Sequence, residues 1–179
     1  YNSTERAVIE AMVQLSTSYG MMVGFGQSRG DPAYATNEVI LKSNSVKAVT
    51  TDVNRVSVNI EASKYPFEPG ALLTAGIQSV AAASTGQGTQ VDNGSASGTT
   101  GGAAYVQVFT VTGGTLTVSL QTSSTGAWAG EQATSATFAA ASTNGAERVA
   151  ISSQIYRYAR AAWVDTGSTA SFALSLTRY

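Results

Sequence analysis

The residues best equipped to recognise another molecule gather near the end of the chain. Tyr156, Arg157, Tyr158, Arg160 and Trp163 stand within one short run, and Trp128 lies upstream in the small-residue setting Gly126-Ala127-Trp128-Ala129-Gly130. Aromatic faces stack on sugar rings, and Tyr, Trp and Arg are also the residue types enriched where chains meet. Two chemistries follow from this set, glycan binding and subunit contact. Strict alternation over Ile155–Val164 puts Tyr156, Tyr158 and Arg160 on one face and Arg157 and Trp163 on the other, so one set must be core. Trp128 is therefore the better candidate for an exposed platform. Arg157 and Arg160 point to opposite faces, and the planar guanidinium fork of Arg suits two-point ion pairs between subunits, with Asp165 or Glu147 as partners inside the chain.

Covalent and metal chemistry find less to work with. The chain contains no His and no Cys. A nucleophilic Ser would need Lys as its base, and no Ser-x-x-Lys spacing marks such a site. The nearest candidate metal carboxylates, Asp52 with Glu61 or Glu38, are separated enough to be read as solvated surface groups. The expectation is a protein that is not an enzyme, with no catalytic, cofactor-binding or metal residue and no cofactor. Arg29-Gly30-Asp31 spells an adhesion tripeptide but precedes Pro32, where Gly, Asp and Pro are favoured by turn geometry. Asn2-Ser3-Thr4 and Asn93-Gly94-Ser95 match the glycosylation sequon and are read as a cap and a turn.

Composition narrows the partners. The 179 residues are 12% charged, with 10 basic and 11 acidic side chains and a net charge of −1. That balance carries no electrostatic footprint for nucleic acid or an anionic membrane. A surface rich in small hydroxyl residues and poor in charge is common in secreted or assembled β proteins, where much of it packs against other copies, and unusual in a free cytosolic enzyme. Without Cys there is no disulfide frame. No apolar run approaches the ~18 residues of a spanning helix. The chain opens on Tyr1 rather than Met, and the expectation is that residues upstream were removed or lie outside the numbering.

The elements that must carry these residues are strands. Asn2 and Glu5 cap a short amphipathic helix over Ser3–Leu15, with Val8, Ile9, Met12 and Leu15 at helical spacing. Tyr19–Phe25 reads as a strand, Gly30-Asp31-Pro32 as a turn, and Val39–Lys42 and Val46–Ala62 as further strands. Pro66 and Pro69-Gly70 break the pattern and mark a boundary between residues 1–70 and 71–179. Beyond it, Gly76–Ala83, Gly88–Asp92, Ala103–Thr112, Thr115–Thr122, Ala133–Phe138, Glu147–Ser152, Ile155–Val164 and Ala170–Arg178 read as short strands of a two-sheet sandwich or jelly roll. The Gly113-Gly114 pair between two alternating runs predicts a tight β-hairpin over Ala103–Gln121. Asp165–Ser168 is a turn, and Asn93–Gly102 a mobile loop rich in Gly, Ser and Thr.

The order Leu72-Leu73-Thr74-Ala75-Gly76, Thr85-Gly86-Gln87-Gly88, Val91-Asp92, Ala103-Ala104-Tyr105-Val106-Gln107-Val108-Phe109 and Leu116–Ser123, with Arg157-Tyr158-Ala159-Arg160 before a terminal strand, resembles the C-terminal part of structural proteins from tailed bacteriophages. In those proteins it forms an added β-sandwich on a tail-tube-like domain. The resemblance covers Ala71–Tyr179 closely and residues 1–70 loosely, and the family's tube domain is longer than residues 1–70 provide. It implies a mainly β protein with a small tube-like β unit carrying one helix over 1–70 and a jelly-roll-like sandwich over 71–179. The function implied is that of a self-assembling virion component, a tail tube subunit, with capsid decoration as the alternative and a carbohydrate-binding sandwich module as the competitor from another class. The expected partners are a homo-oligomeric ring or other symmetric assembly and other virion proteins, without sequence-specific nucleic-acid binding and without a membrane.

Overall fold

The computed structural model describes residues 19–47 and 55–179, which form thirteen strands. In chain order they are β1 (Tyr19–Gly24), β2 (Pro32–Lys47), β3 (Arg55–Ala62), β4 (Glu68–Leu72), β5 (Gln78–Val80), β6 (Thr85–Gln87), β7 (Val91–Asp92), β8 (Gly102–Thr112), β9 (Leu116–Ser123), β10 (Ala133–Thr137), β11 (Gly145–Ile151), β12 (Tyr158–Asp165) and β13 (Thr169–Arg178). The helix expected over Ser3–Leu15 lies outside the described residues. The larger sheet runs β1-β2-β4-β13-β8-β11, with β3 on β2 and β5 on β13. The smaller runs β10-β9-β12-β6, with β7 on β12. Every pairing is antiparallel. The protein is mainly β, as its alternation predicts.

The period of two decides what is buried. Ala104, Val106 and Val108 of β8 and Phe172, Leu174 and Leu176 of β13 meet Leu116, Val118 and Leu120 of β9 and Ala159 and Ala161 of β12 in one apolar layer between the sheets. Each fully buried Leu, Val or Phe contributes about 1.5–3 kcal/mol, so this layer dominates the stability of the sandwich. The outer face of the larger sheet has a small core of its own, where Ala35 and Met22 of the first strands cover Ala103 and Tyr105 of β8. There a Cβ on Gly20 of β1 would collide with Ala146 of β11, so the two backbones approach closely.

Four expectations change. The Gly113-Gly114 pair does not close a hairpin, because β8 belongs to the larger sheet and β9 to the smaller. The turn is an arch that steps across the core, and Asp165–Ser168 steps back from β12 to β13 beside it. Gly113 has φ 72°, a value that Gly favours in an arch as much as in a hairpin. The arches stack: Thr166 N donates to Thr115 O at 3.0 Å and Ser168 N to Thr112 O at 2.8 Å. A Cβ on Gly114 would stand 2.5 Å from Gly167 N.

The boundary expected at residue 70 falls inside β4, which pairs with β2 on one side and β13 on the other. Pro69 faces Tyr34 and lies beyond the β13 register, which covers Ala71 and Leu72, so its missing N–H leaves that ladder intact. Gly70 is a close approach rather than a breaker, since a Cβ there would meet the backbone of Leu176.

The segment Asn93–Gly102, expected to be a mobile loop, is a strap pinned at several points. Ser97 N donates to Ile155 O and Ile155 N to Ser97 Oγ, both at 2.8 Å, and Arg178 Nη2 donates to Asn93 O at 3.0 Å. Small polar side chains look mobile in a sequence, yet here their backbone groups are held by long-range partners.

In the first strands, the segments expected as Val39–Lys42 and Val46–Ala62 resolve into β2 and β3. Val39–Lys47 pairs with Arg55–Ala62 as a two-stranded ribbon, and β3 pairs with no strand but β2 among the described residues.

Candidate functional site

Along β12, Ala159 and Ala161 point into the core, so Tyr158 and Arg160 point out of the smaller sheet. Arg160 is nonetheless only 9% exposed, because the Trp128 ring lies over its guanidinium at 3.8 Å to the ring centroid. Its Nε donates to Gln121 Oε1 at 2.9 Å and its Nη2 to Gln132 Oε1 at 3.2 Å, while Trp128 Nε1 donates to Gln90 Oε1 at 2.5 Å. Burial lowers the pKa of Arg160, and the neutral amides around it supply no opposing charge. A desolvated cation on an indole is worth about 2 kcal/mol, so the loop carrying Trp128 is fastened to the sheet. One face of the ring is thereby occupied.

Arg157 stands just before β12 and is exposed. Its Nε and Nη2 engage Asp92 Oδ1 and Oδ2 at 2.7 and 2.6 Å, and its guanidinium lies 5.0 Å from the Tyr158 ring centroid. Hydrogen bonds from Arg157 and from the Gly94 amide hold the Asp92 carboxyl at about 2. The partners expected for the arginines are engaged elsewhere: Asp165 Oδ1 accepts from Gly167 N and Glu147 Oε2 from Ala139 N. Gly126, against Gln90 and Tyr158, joins the two arginine groups into one patch. Trp163 is half-buried and packs against the core, edge-on to Phe172 at 5.8 Å with Gly86 beneath its ring. Tyr156 precedes β12 and is half-buried. The structure thus brings Trp128, Arg157, Tyr158 and Arg160 together and sets Trp163 and Tyr156 apart.

Two groups escape the sequence reading. On the outer side of the larger sheet, Arg148 of β11 meets Glu68 of β4 at 3.0 Å, with both side chains nearly buried. Tyr105 donates to Glu68 Oε2 at 2.5 Å, Tyr179 donates to Glu68 Oε1 at 2.9 Å, and Arg148 stacks 4.4 Å from the Tyr65 ring centroid. Burial alone would raise the Glu68 pKa, but the hydrogen bonds from Tyr105, Arg148 and Tyr179 outweigh it and the value is lowered. Burial and the carboxylate together push the Tyr105 phenol up. This cluster is fully partnered and fastens β4, on which β2 is paired, to β8 and β11, and so ties the first strands to the sandwich through β4. A lone Glu and a lone Arg 80 positions apart carry no local signal of their pairing.

The second group is apolar. Phe25, Tyr34, Ile77 and Phe109 are exposed, at 66%, 42%, 58% and 43%. Phe25 and Tyr34 meet edge to face at 5.7 Å. Ile77 and Phe109 flank a groove of about 180 Å³ whose wall includes Met22, Gly24, Gly26 and Leu72. Phe109 follows core-facing Val108 and so points to the outer face, where it is also the extra residue of a bulge: Ser171 pairs with Thr110 and Phe172 with Val108, leaving Phe109 without an opposite number on β13.

An apolar groove and a patch of fastened aromatics and guanidinium groups can bury surface against another molecule. Comparison of the chain with protein-family models, with curated proteins and with solved structures finds no match.

Proposed function

We propose that the chain is a self-assembling structural protein of a tailed-bacteriophage virion, a component of the tail tube. The observation that carries the assembly is the exposed apolar surface of Ile77 and Phe109 along one groove, with Phe25 and Tyr34 exposed as a separate aromatic pair. Exposed apolar surface of this kind marks contact between proteins, and covering what remains exposed of each side chain is worth about 1 kcal/mol, a fraction of the ~1.5–3 kcal/mol of complete burial. The ribbon of β2 and β3 adds a strand edge on β3 that is unpaired among the described residues, a row of N–H and C=O groups that a neighbouring copy can pair. Groove and ribbon are unlike elements, and a head-to-tail contact between unlike patches builds a ring when its rotation closes. The particle itself is inferred from the resemblance of Ala71–Tyr179 to tailed-phage structural proteins.

The test is light scattering across a concentration series, with electron microscopy of whatever forms. Rings stacked along an axis support the tube, and binding at threefold or fivefold positions of a shell supports decoration instead. Phe109→Ser, on the surface and outside the core, lowers the assembled fraction while the monomer keeps its unfolding midpoint. A wild-type chain that stays monomeric at every concentration overturns the proposal.

A further inference from the structure

Asn-Gly is the dipeptide most prone to spontaneous loss of the side-chain amide, because Gly places no Cβ in the way of its own backbone nitrogen. The chain has two such pairs, Asn93-Gly94 and Asn144-Gly145. The fold treats them oppositely.

At the first pair every reacting group is engaged. Gly94 N, the atom that would attack, donates to Asp92 Oδ1 at 2.8 Å, and the carboxylate beside it disfavours the deprotonated amide that attack requires. Asn93 Nδ2 and Asn93 N both donate to Arg157 O at 3.0 Å, and Asn93 O accepts from Arg178. At the second pair the side chain is open, although Gly145 begins β11 opposite Val108 and its carbonyl accepts from Gln107 Nε2 at 3.2 Å. Asn144 is exposed on a bend, its side-chain amide has no hydrogen-bond partner among the described residues, and nothing lies within 4 Å of where a Cβ on Gly145 would stand. Asn144 also lines a solvent-open groove of about 260 Å³ with Ser142, Thr143 and Glu147, so water reaches it.

We infer that Asn144 is a site of spontaneous covalent modification, converting in the folded protein to aspartyl and isoaspartyl forms while Asn93 is protected. Gly145 N bonds to the Asn144 side-chain carbonyl carbon as the carbon–nitrogen bond of the amide breaks, and the amide leaves as ammonia with the proton lost from Gly145 N. The resulting succinimide is opened by water at either carbonyl. Each product adds a negative charge at the start of β11, and the isoaspartyl form adds one carbon to the backbone there.

Folded protein is aged at mildly alkaline pH, then denatured and cleaved after glutamate, which separates Gln132–Glu147 from the fragment holding Asn93. The Asn144 fragment gains the mass of hydroxyl for amine and accepts a methyl group from isoaspartate methyltransferase. We expect conversion at Asn144 at least about tenfold faster than at Asn93, the ratio that roughly 1.4 kcal/mol makes in a rate. In denaturant the two sites converge, and Gly145→Ala slows Asn144 without touching Asn93. Equal rates in the folded chain, or an Asn144 that converts in denaturant and not in the native protein, overturn the inference.

Discussion

The layer between the two sheets and the ribbon of β2 and β3 are both built on antiparallel ladders, yet they differ in what covers them. In the layer, Leu116, Leu120, Phe172 and Leu174 are wholly enclosed by the facing sheet. In the ribbon, Lys42 and Glu61 stand in solvent and Ile40 and Ile60 are half-buried. A two-stranded ribbon is marginal by itself in water. The difference teaches that the ladder defines an element while its cover sets its worth.

Substitutions divide along that line. Phe172→Ala empties the centre of the layer and should cost about 3–5 kcal/mol, read as a lowered urea midpoint. Arg148→Ala leaves the Glu68 carboxylate without its countercharge where the first strands join the sandwich. Because a little of the pair reaches solvent, the loss should be roughly 2–3 kcal/mol, and unfolding followed by hydrogen exchange should show β1 and β2 opening before β9 and β12. Gly114→Ala presses a methyl group on the Gly167 backbone and should cost about 1–3 kcal/mol, without the cavity that Phe172→Ala leaves.

The Glu68 group also sets a pH dependence. Its folded pKa lies below the ordinary 4.5, so its contribution is complete above that value and is lost as pH falls through the folded pKa. Midpoints measured from neutral into acid should therefore fall less steeply in Glu68→Gln than in the wild type. At the small end, Lys42→Ala removes the exposed pair with Glu61 at 3.1 Å and should move the midpoint by less than about 0.5 kcal/mol. A large loss there would mean that the ribbon supports the body, and the contrast would fail.

What the sequence discloses follows from range. Leu116, Val118 and Leu120 against Thr117, Ser119 and Gln121 specify a strand from nearest neighbours alone, and β8 to β13 all lie where alternation puts them. Short polar β6 offers no such contrast and escapes notice. Pairing is another matter, because Gly113-Gly114 reports a backbone angle and not which sheet comes next. The same holds for the candidate site. Residue type singled out Trp128, Tyr156, Arg157, Tyr158, Arg160 and Trp163, and alternation parted Trp163 from Tyr158 and Arg160 but left Arg157 on the Trp163 face and Tyr156 with Tyr158. Nothing local joins Arg157 to Asp92, 65 positions away, or lays Trp128 over Arg160. Phe109 is visible as a large apolar residue that alternation turns away from Val106 and Val108, but its lack of cover on that outer face depends on distant strands.

The stacked arches also govern how the chain reaches its native state. A hairpin closes on itself in microseconds and can seed a sheet locally. Here Thr115 must find Thr166, 51 residues on, before either arch has anything to rest against. Formation of the sandwich is therefore a long-range event, and refolding belongs in the millisecond-to-second range of chains dominated by distant contacts.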